Sequence, residues 1–308
     1  MPKKKAITSI SDVDIRLLQV FRTVVWCGGF TAAEFELNIS RSTISKHIAD
    51  LETRLGAQLC HRGAAGFSLT SDGQHVLDSS NELFLAIDKF QNGLGDVRSE
   101  LTGKLRIALF DHSSSNEESN LYETIQRFID KAPGVTLDIS MEPPNVIEEG
   151  VINGRFNLGI VPLHRQSPML SYSELYVEKM RLFCGRDHEL FQSASDVISI
   201  DQLRKYNYAG LSFNSPNMAV HQKLMLRKSA FVQNEEALIL LVLSGRYLGF
   251  VPTHKARSLV SDGYLKQINC SEAQFSTTMA AIVRKSASKG RRLNLFLDIL
   301  RSAHNNRI

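Results

Sequence analysis

Thr31-Ala32-Ala33-Glu34-Phe35-Glu36-Leu37-Asn38-Ile39-Ser40-Arg41-Ser42-Thr43-Ile44-Ser45-Lys46-His47-Ile48-Ala49-Asp50-Leu51-Glu52 is the stretch on which the reading of this chain turns. Leu55-Gly56 and Leu59-Cys60-His61-Arg62 follow it. Ile44, Ile48, Leu51 and Leu55 recur at helical spacing and share one face, which must be buried. Leu17, Leu18, Phe21, Val24 and Val25 form a matching stripe in a preceding helix, and Ala32, Ala33 and Leu37 form another, with the alanine pair allowing close approach. Ser40 suits the N-cap of the last helix. Its outer face carries Arg41, Ser42, Ser45, Lys46 and Ala49, and Thr43 joins Arg41, Ser42, Ser45 and Lys46 as a candidate DNA contact. Arginine grips guanine with two hydrogen bonds, serine and threonine bond base edges or phosphates, and a helix N-terminus favours a phosphate. This layout predicts a helix-turn-helix whose second helix enters the DNA major groove. The spacing also fits an ordinary helical hairpin with a solvated face. The next segment favours the first reading: Leu59–Arg62 and Phe67–Leu69, separated by Gly63-Ala64-Ala65-Gly66, predict a β-hairpin wing, with Arg62 placed to meet a phosphate.

Charge follows the same division. Residues 1–70 hold nine Lys or Arg against six Asp or Glu, so most of the net charge of +4 lies beside the motif. The chain of 308 residues predicts two or three domains. It has no apolar run of about 18 residues or more, and the basic Lys3-Lys4-Lys5 has no apolar segment behind it. A cytoplasmic protein without a membrane partner is therefore expected. Cys27, Cys60, Cys184 and Cys270 lie far apart without metal-ligand spacing, which fits isolated thiols in a reducing compartment better than a redox pair. No metal or other cofactor is expected.

The segment resembles the N-terminal domain of LysR-type transcriptional regulators. The resemblance rests on Phe21, Gly29-Phe30-Thr31, Ala32-Ala33, Leu37-x-Ile39-Ser40, Ser45-x-x-Ile48, Leu51-Glu52, Leu55-Gly56-x-x-Leu59, Arg62 and Leu69-Thr70-x-x-Gly73. It implies that Arg41, Ser42, Ser45 and Lys46 face the groove. The family usually carries Gln where Arg41 stands, Pro or a small residue at Ser42, and Phe at Cys60, so operator details do not transfer.

Ser71 to about Arg98 reads as one long helix, with Leu77, Phe84, Ile87, Phe90, Leu94 and Val97 near coiled-coil spacing and Gly93 and Gly95 weakening its exit. It shows no obvious local partner, so a second copy is expected to cover it. The alternative is a helix folded back on its own domain. The resemblance implies dimerisation through this helix, assembly into a tetramer, and RNA polymerase as a further candidate partner. A dimer predicts double-stranded DNA with an interrupted palindrome as the target.

Beyond residue 100 strands and helices alternate, which predicts a parallel-type sheet covered by helices. The expected fold is α/β overall: an all-α winged helix-turn-helix (1–70), a linker helix (71–100) and a two-lobed α/β effector-binding domain (101–308). Lobe I is expected at about 101–163 and 284–308, and lobe II at about 164–283. Ala132-Pro133-x-Val135, Asn157-Leu-Gly-Ile-Val161, Asp187-His188-Glu-Leu190 and Gly249-Phe-Val-Pro252 resemble the same family, whose domain is similar to periplasmic binding proteins and holds a small effector between its lobes. Ser113, Ser114, Leu163, His164, Ser212 and Asn214 fall on loops expected to line that cleft. Helix capping explains the same serines and asparagine. Asp111, Glu117 and Glu118 argue against a simple carboxylate effector, and His112 and His164 are candidates to meet across the cleft. Two other classes compete: an enzyme with a DNA-binding tail, and an effector-independent repressor or architectural protein whose C-terminal part only oligomerises. Gly210-Leu-Ser212-Phe-Asn214 lacks the second glycine of a nucleophile elbow, and neither zinc spacing nor a phosphate loop occurs, so no enzyme is expected.

Overall fold

The computed structural model describes residues 9–63, 66–95, 101–110, 115–193, 197–212, 216–285 and 290–305. The chain forms two compact units that meet at residues 90 and 91.

The first unit contains helices α1 (Asp12–Trp26), α2 (Phe30–Leu37) and α3 (Arg41–Leu55), a hairpin of β1 (Cys60–Gly63) and β2 (Gly66–Leu69), and the start of α4 (Ser71–Gly95). Asn38, left-handed at φ 52°, turns the chain from α2 to α3, and Gly56 at φ +72° ends α3. Leu17, Phe21 and Val24 pack on Ala33 and on Ile44, Ile48 and Leu51, with Leu59, Cys60 and Leu77 closing the core. Ala32 is exposed, so Ala33 alone makes the close helix contact expected of the pair.

α4 does have a local partner. Leu77, Ser80 and Asn81 are buried, and Arg22 of α1 donates from Nε to Asn81 Oδ1 at 2.8 Å. The Arg22 guanidinium lies 4.4 Å from the ring centroids of both Trp26 and Phe84. The expectation of a helix without local contacts missed these because polar and cationic side chains, not only the apolar stripe, make the joint. The helix runs through Gly93 to Gly95; Val97 and Arg98 lie outside the described residues.

The second unit is built on a mixed sheet rather than a parallel one. Strand β3 (Gly103–Leu109) pairs in parallel with β4 (Val135–Met141) and β5 (Leu158–Pro162). Helices α5 (Leu121–Lys131) and α6 (Pro144–Ile152) connect these strands. Two long strands, β6 (Leu170–Gly185) and β11 (Gln274–Arg284), run antiparallel beside them. Between these come α7 (Ile200–Leu203), β7 (Asn207–Leu211), α8 (Pro216–Leu224), β8 (Arg227–Val232), α9 (Glu235–Leu243), β9 (Gly249–Pro252), α10 (Thr253–Ser261) and β10 (Leu265–Gln267). Helix α11 (Arg291–Asn305) packs on α5 through Phe296 and Phe128. β7 and β8 are parallel and join β9 through Leu248 and Tyr208.

The lobes exchange within β6 and β11. Met279–Ile282 pair with β5, while Met180–Phe183 pair with β9, and the register of β11 shifts between Met279 and Ala280. Residues 170–176 and 279–283, expected in lobe II, therefore pair within the lobe I sheet. The sequence hid this because β6 is one uninterrupted strand without a turn signal at the crossing. α8 ends at Leu224, since Met225 adopts φ 52° and releases the chain into β8. One apolar cluster joins the lobes, from Leu109, Phe110 and Val161 to Leu211, Val232 and Leu238.

Candidate nucleic-acid interface and inter-lobe cleft

Ser40 caps α3 as expected: its Oγ accepts the Thr43 N–H at 3.3 Å and lies 2.9 Å from Ser42 Oγ and from Thr43 Oγ1. Arg41, Ser42 and Lys46 are exposed, and Thr43 and Ser45 are half-buried, so these five side chains lie together on or beside the outer face of α3. The helix N-terminus is not vacant for a phosphate. Glu34 of α2 accepts the Arg41 N–H, and Ser40 takes that of Thr43. Its positive end is therefore met by a carboxylate of the same chain.

Arg62 lies in the wing but does not reach away from the protein. Its Nη2 donates to Glu52 Oε2 at 2.8 Å, its Nη1 donates to Ser45 Oγ at 3.1 Å, and its guanidinium sits 5.0 Å from the Phe30 ring centroid. Glu52 Oε1 accepts the Leu59 N–H at 2.9 Å and the Cys60 N–H at 3.3 Å. Glu52 thus ties the start of the wing to α3, and Arg62, two residues further along β1, ties it to the same helix again. At the opposite side of α3, Arg54 donates to the buried Asp14, which also accepts from Ser11 N and Oγ. The Arg54 guanidinium holds the Asp14 carboxyl well below the usual carboxylate range.

Of the residues expected to line the cleft, the structure describes Leu163, His164 and Ser212. Ser113, Ser114 and Asn214 lie outside the described residues, as do Asp111 and His112. Ser212 is exposed and donates its N–H to Val232 O at 2.8 Å. The Leu163 N–H donates to Thr278 O at 2.7 Å, fixing the end of β5 against β11. His164 is half-buried, with Nδ1 3.0 Å from Pro162 O at the end of β5, while Nε2 is buried without a partner among the described residues.

The lobes meet around Ser115, Asn116 and Glu117, which follow β3, and around Glu178, His254 and Arg257, which the sequence did not single out. Glu178, buried in β6, accepts from Asn116 Nδ2 at 3.3 Å and lies 3.2 Å from His254 Nε2. The other ring nitrogen, His254 Nδ1, lies 3.1 Å from Ser115 Oγ. Arg257, one turn along α10, pairs with Glu117 at 3.2 Å. Ser115, Asn116 and Glu117 follow β3 in lobe I, whereas His254 and Arg257 follow β9 in lobe II. The available signal was the position of His254 two residues beyond Gly249-Phe-Val-Pro252, at a helix start facing the sheet ends.

The buried thiols Cys60, Cys184 and Cys270 are poor nucleophiles. Burial pushes Cys60 and Cys270 up and Cys184 up to about 11, leaving little thiolate at neutral pH. Among the described residues no cluster of His, Cys, Asp or Glu is arranged to hold a metal, and no helix is long and apolar enough to cross a membrane.

Two family models match the chain: "Bacterial regulatory helix-turn-helix protein, lysR family" over residues 15–74 and "LysR substrate binding domain" over residues 98–305. The HTH-type transcriptional activator BauR of Pseudomonas aeruginosa is 34% identical over 296 residues, covering 96% of each chain. The probable HTH-type transcriptional regulator LrrA of Synechococcus elongatus is 24% identical over 94% of this chain and 97% of its own. Among solved structures, a full-length OxyR variant of Pseudomonas aeruginosa matches with a TM-score of 0.62 at 17% identity over 96% of this chain and 97% of its own. Full-length CbnR in complex with its target DNA matches at 0.58 and 19% identity, over 94% of this chain and 99% of its own. These likenesses establish the fold. The chain therefore belongs to the LysR family of bacterial helix-turn-helix regulators: it is a DNA-binding transcriptional regulator with a substrate-binding domain, and not an enzyme.

Proposed function

We propose that a small-molecule effector, held between the two lobes of the second unit, sets the DNA-binding state of this regulator. The observation that carries this reading is the polar bridge between the lobes, Ser115–His254–Glu178–Asn116, at the strand ends where α/β folds take ligands. A ligand that re-spaces these groups changes the angle between the lobes that β6 and β11 link, and a population shift follows from its differential affinity.

On the DNA side, Arg41, Ser42, Thr43, Ser45 and Lys46 meet the major groove from α3, with Arg62 beside them in the wing. α4 pairs with its copy to form a homodimer, so the operator is an interrupted palindrome. Further contacts between copies come from the second unit, giving a tetramer. Ile139 and Met141 are exposed on the edge strand β4, and Phe231 is exposed on β8, the terminal strand of its pair. Exposed apolar edge strands are ready sites for pairing.

The test joins two measurements on the full chain. Footprinting upstream of its own gene should protect two half-sites about one helical turn or more apart, with protection lost in Ser45→Ala/Lys46→Ala. A metabolite screen should then find a compound that raises thermal stability, worth about 2.7 kcal/mol at 100 times Kd, and alters the footprint. Protection that no metabolite changes supports the effector-independent repressor instead.

A further inference from the structure

A hydroxyl carries one proton and two lone pairs, so a donor already bonded to its oxygen decides what the hydroxyl can offer elsewhere. Ser45 stands at this point. Arg62 Nη1–H donates into Ser45 Oγ at 3.1 Å, which uses a lone pair and turns the serine proton away from the guanidinium. Among the described residues no acceptor takes that proton. Arg62 is held for this task from three sides: Glu52 Oε2 at 2.8 Å, the Phe30 ring at 5.0 Å and Ser45 itself. Glu52 is anchored in turn by the Leu59 and Cys60 N–H groups.

We infer that Arg62 is a positioning residue for base recognition: it fixes Ser45 as a hydrogen-bond donor toward an acceptor on a base edge in the major groove. The groove acceptors open to a donor are N7 and O6 of guanine, N7 of adenine and O4 of thymine; the cytosine N4 amino group is excluded. A lysine in place of Arg62 keeps the charge beside Glu52 but lacks the planar fork that bonds Glu52 and Ser45 together. This inference rests on the placement of α3 in the groove proposed above.

The experiment selects bound sequences from a random duplex pool with the full-length chain. Wild type, Ser45→Ala, Arg62→Lys, Arg62→Met and Ser45→Ala/Arg62→Lys are compared, with salt titrations on the selected duplex and Trp26 fluorescence to confirm folding. Wild type should prefer a base with an accepting edge at one position in each half-site by about tenfold. Ser45→Ala and Arg62→Lys should both lose that preference, the double variant should lose no more, and Arg62→Lys should keep the wild-type salt slope. Retention of the preference in Arg62→Lys overturns the inference. So does a Ser45→Ala profile identical to wild type. A uniform loss over all sequences in Arg62→Met, with a salt slope shallower by about 0.9 and base preferences intact, makes Arg62 a phosphate contact and also overturns it. Should wild type select no sequence, the groove placement itself fails along with the inference.

Discussion

Gly73→Ala sets two physical effects of opposite sign against each other. Gly73 lies in the first turn of α4 without positive φ, so helix propensity alone predicts that alanine stabilises by about 0.5–1 kcal/mol. The tertiary structure predicts the reverse. A Cβ on Gly73 would stand 1.9 Å from Leu59 O, 2.8 Å from Leu59 C and 3.2 Å from Leu59 Cα. All three atoms are backbone, so the strand must move by about an ångström, and overpacking of that kind costs about 1–3 kcal/mol. The shift also strains two hydrogen bonds that hold the wing, Thr70 N–H to Leu59 O at 3.0 Å and Thr70 Oγ1–H to Gln58 O at 2.6 Å, each worth about 1 kcal/mol. The net expectation is a loss of about 2 kcal/mol or more after the propensity gain is subtracted.

The assay is convenient because Trp26, in α1, is the sole tryptophan of the chain. Urea unfolding followed by its fluorescence reports on the first unit. The midpoint should fall at an unchanged slope, and DNA affinity should fall with it, because Leu59 also anchors Glu52 and through it Arg62 and Ser45. A Gly73→Ala protein as stable as wild type and equally competent on DNA would refute the reasoning.

Glu34→Gln removes the negative charge at the N-terminus of α3, so binding to random duplex should tighten about threefold at about 50 mM salt and lose that gain by about 200 mM, measured by fluorescence anisotropy. Asp14 has its folded pKa depressed, so its pairing with Arg54 contributes stability that is fully present well above the ordinary value of 3.8 and is lost as pH falls through and below it. Acid titration of Trp26 fluorescence should therefore show a shallower loss below about pH 4 in Asp14→Asn, which starts less stable at neutral pH. Native iodoacetamide labelling at neutral pH should leave Cys60, Cys184 and Cys270 unmodified until denaturant is added; rapid native modification of Cys184 would contradict its burial. Glu178→Ala strips Asn116 and His254 of their shared acceptor and should destabilise the second unit by about 1–3 kcal/mol in calorimetry, with the Trp26 transition unmoved.

Much of the first unit was legible because its information is short-range. The apolar positions Ile44, Ile48 and Leu51 recur at helical spacing and are fully buried, and the glycine-bounded runs around residue 65 are the wing strands. The outer face of α3, with Arg41, Ser42 and Lys46 exposed, follows from the same periodicity, since knowing the buried face of a helix assigns the other one.

The tertiary structure alone decided which side chains meet. Arg62 reaches Ser45 across 17 residues, and His254 reaches Glu178 across 76. The sequence determined the elements, their buried faces and the family they belong to, because periodicity and capping act over one or two turns. It did not determine that Glu34 would occupy the end of α3, that Arg62 would turn inward, or that the lobes would exchange inside β6. Those outcomes depend on where two distant backbones come to rest, and a hydrogen bond is gained or lost over a few tenths of an ångström.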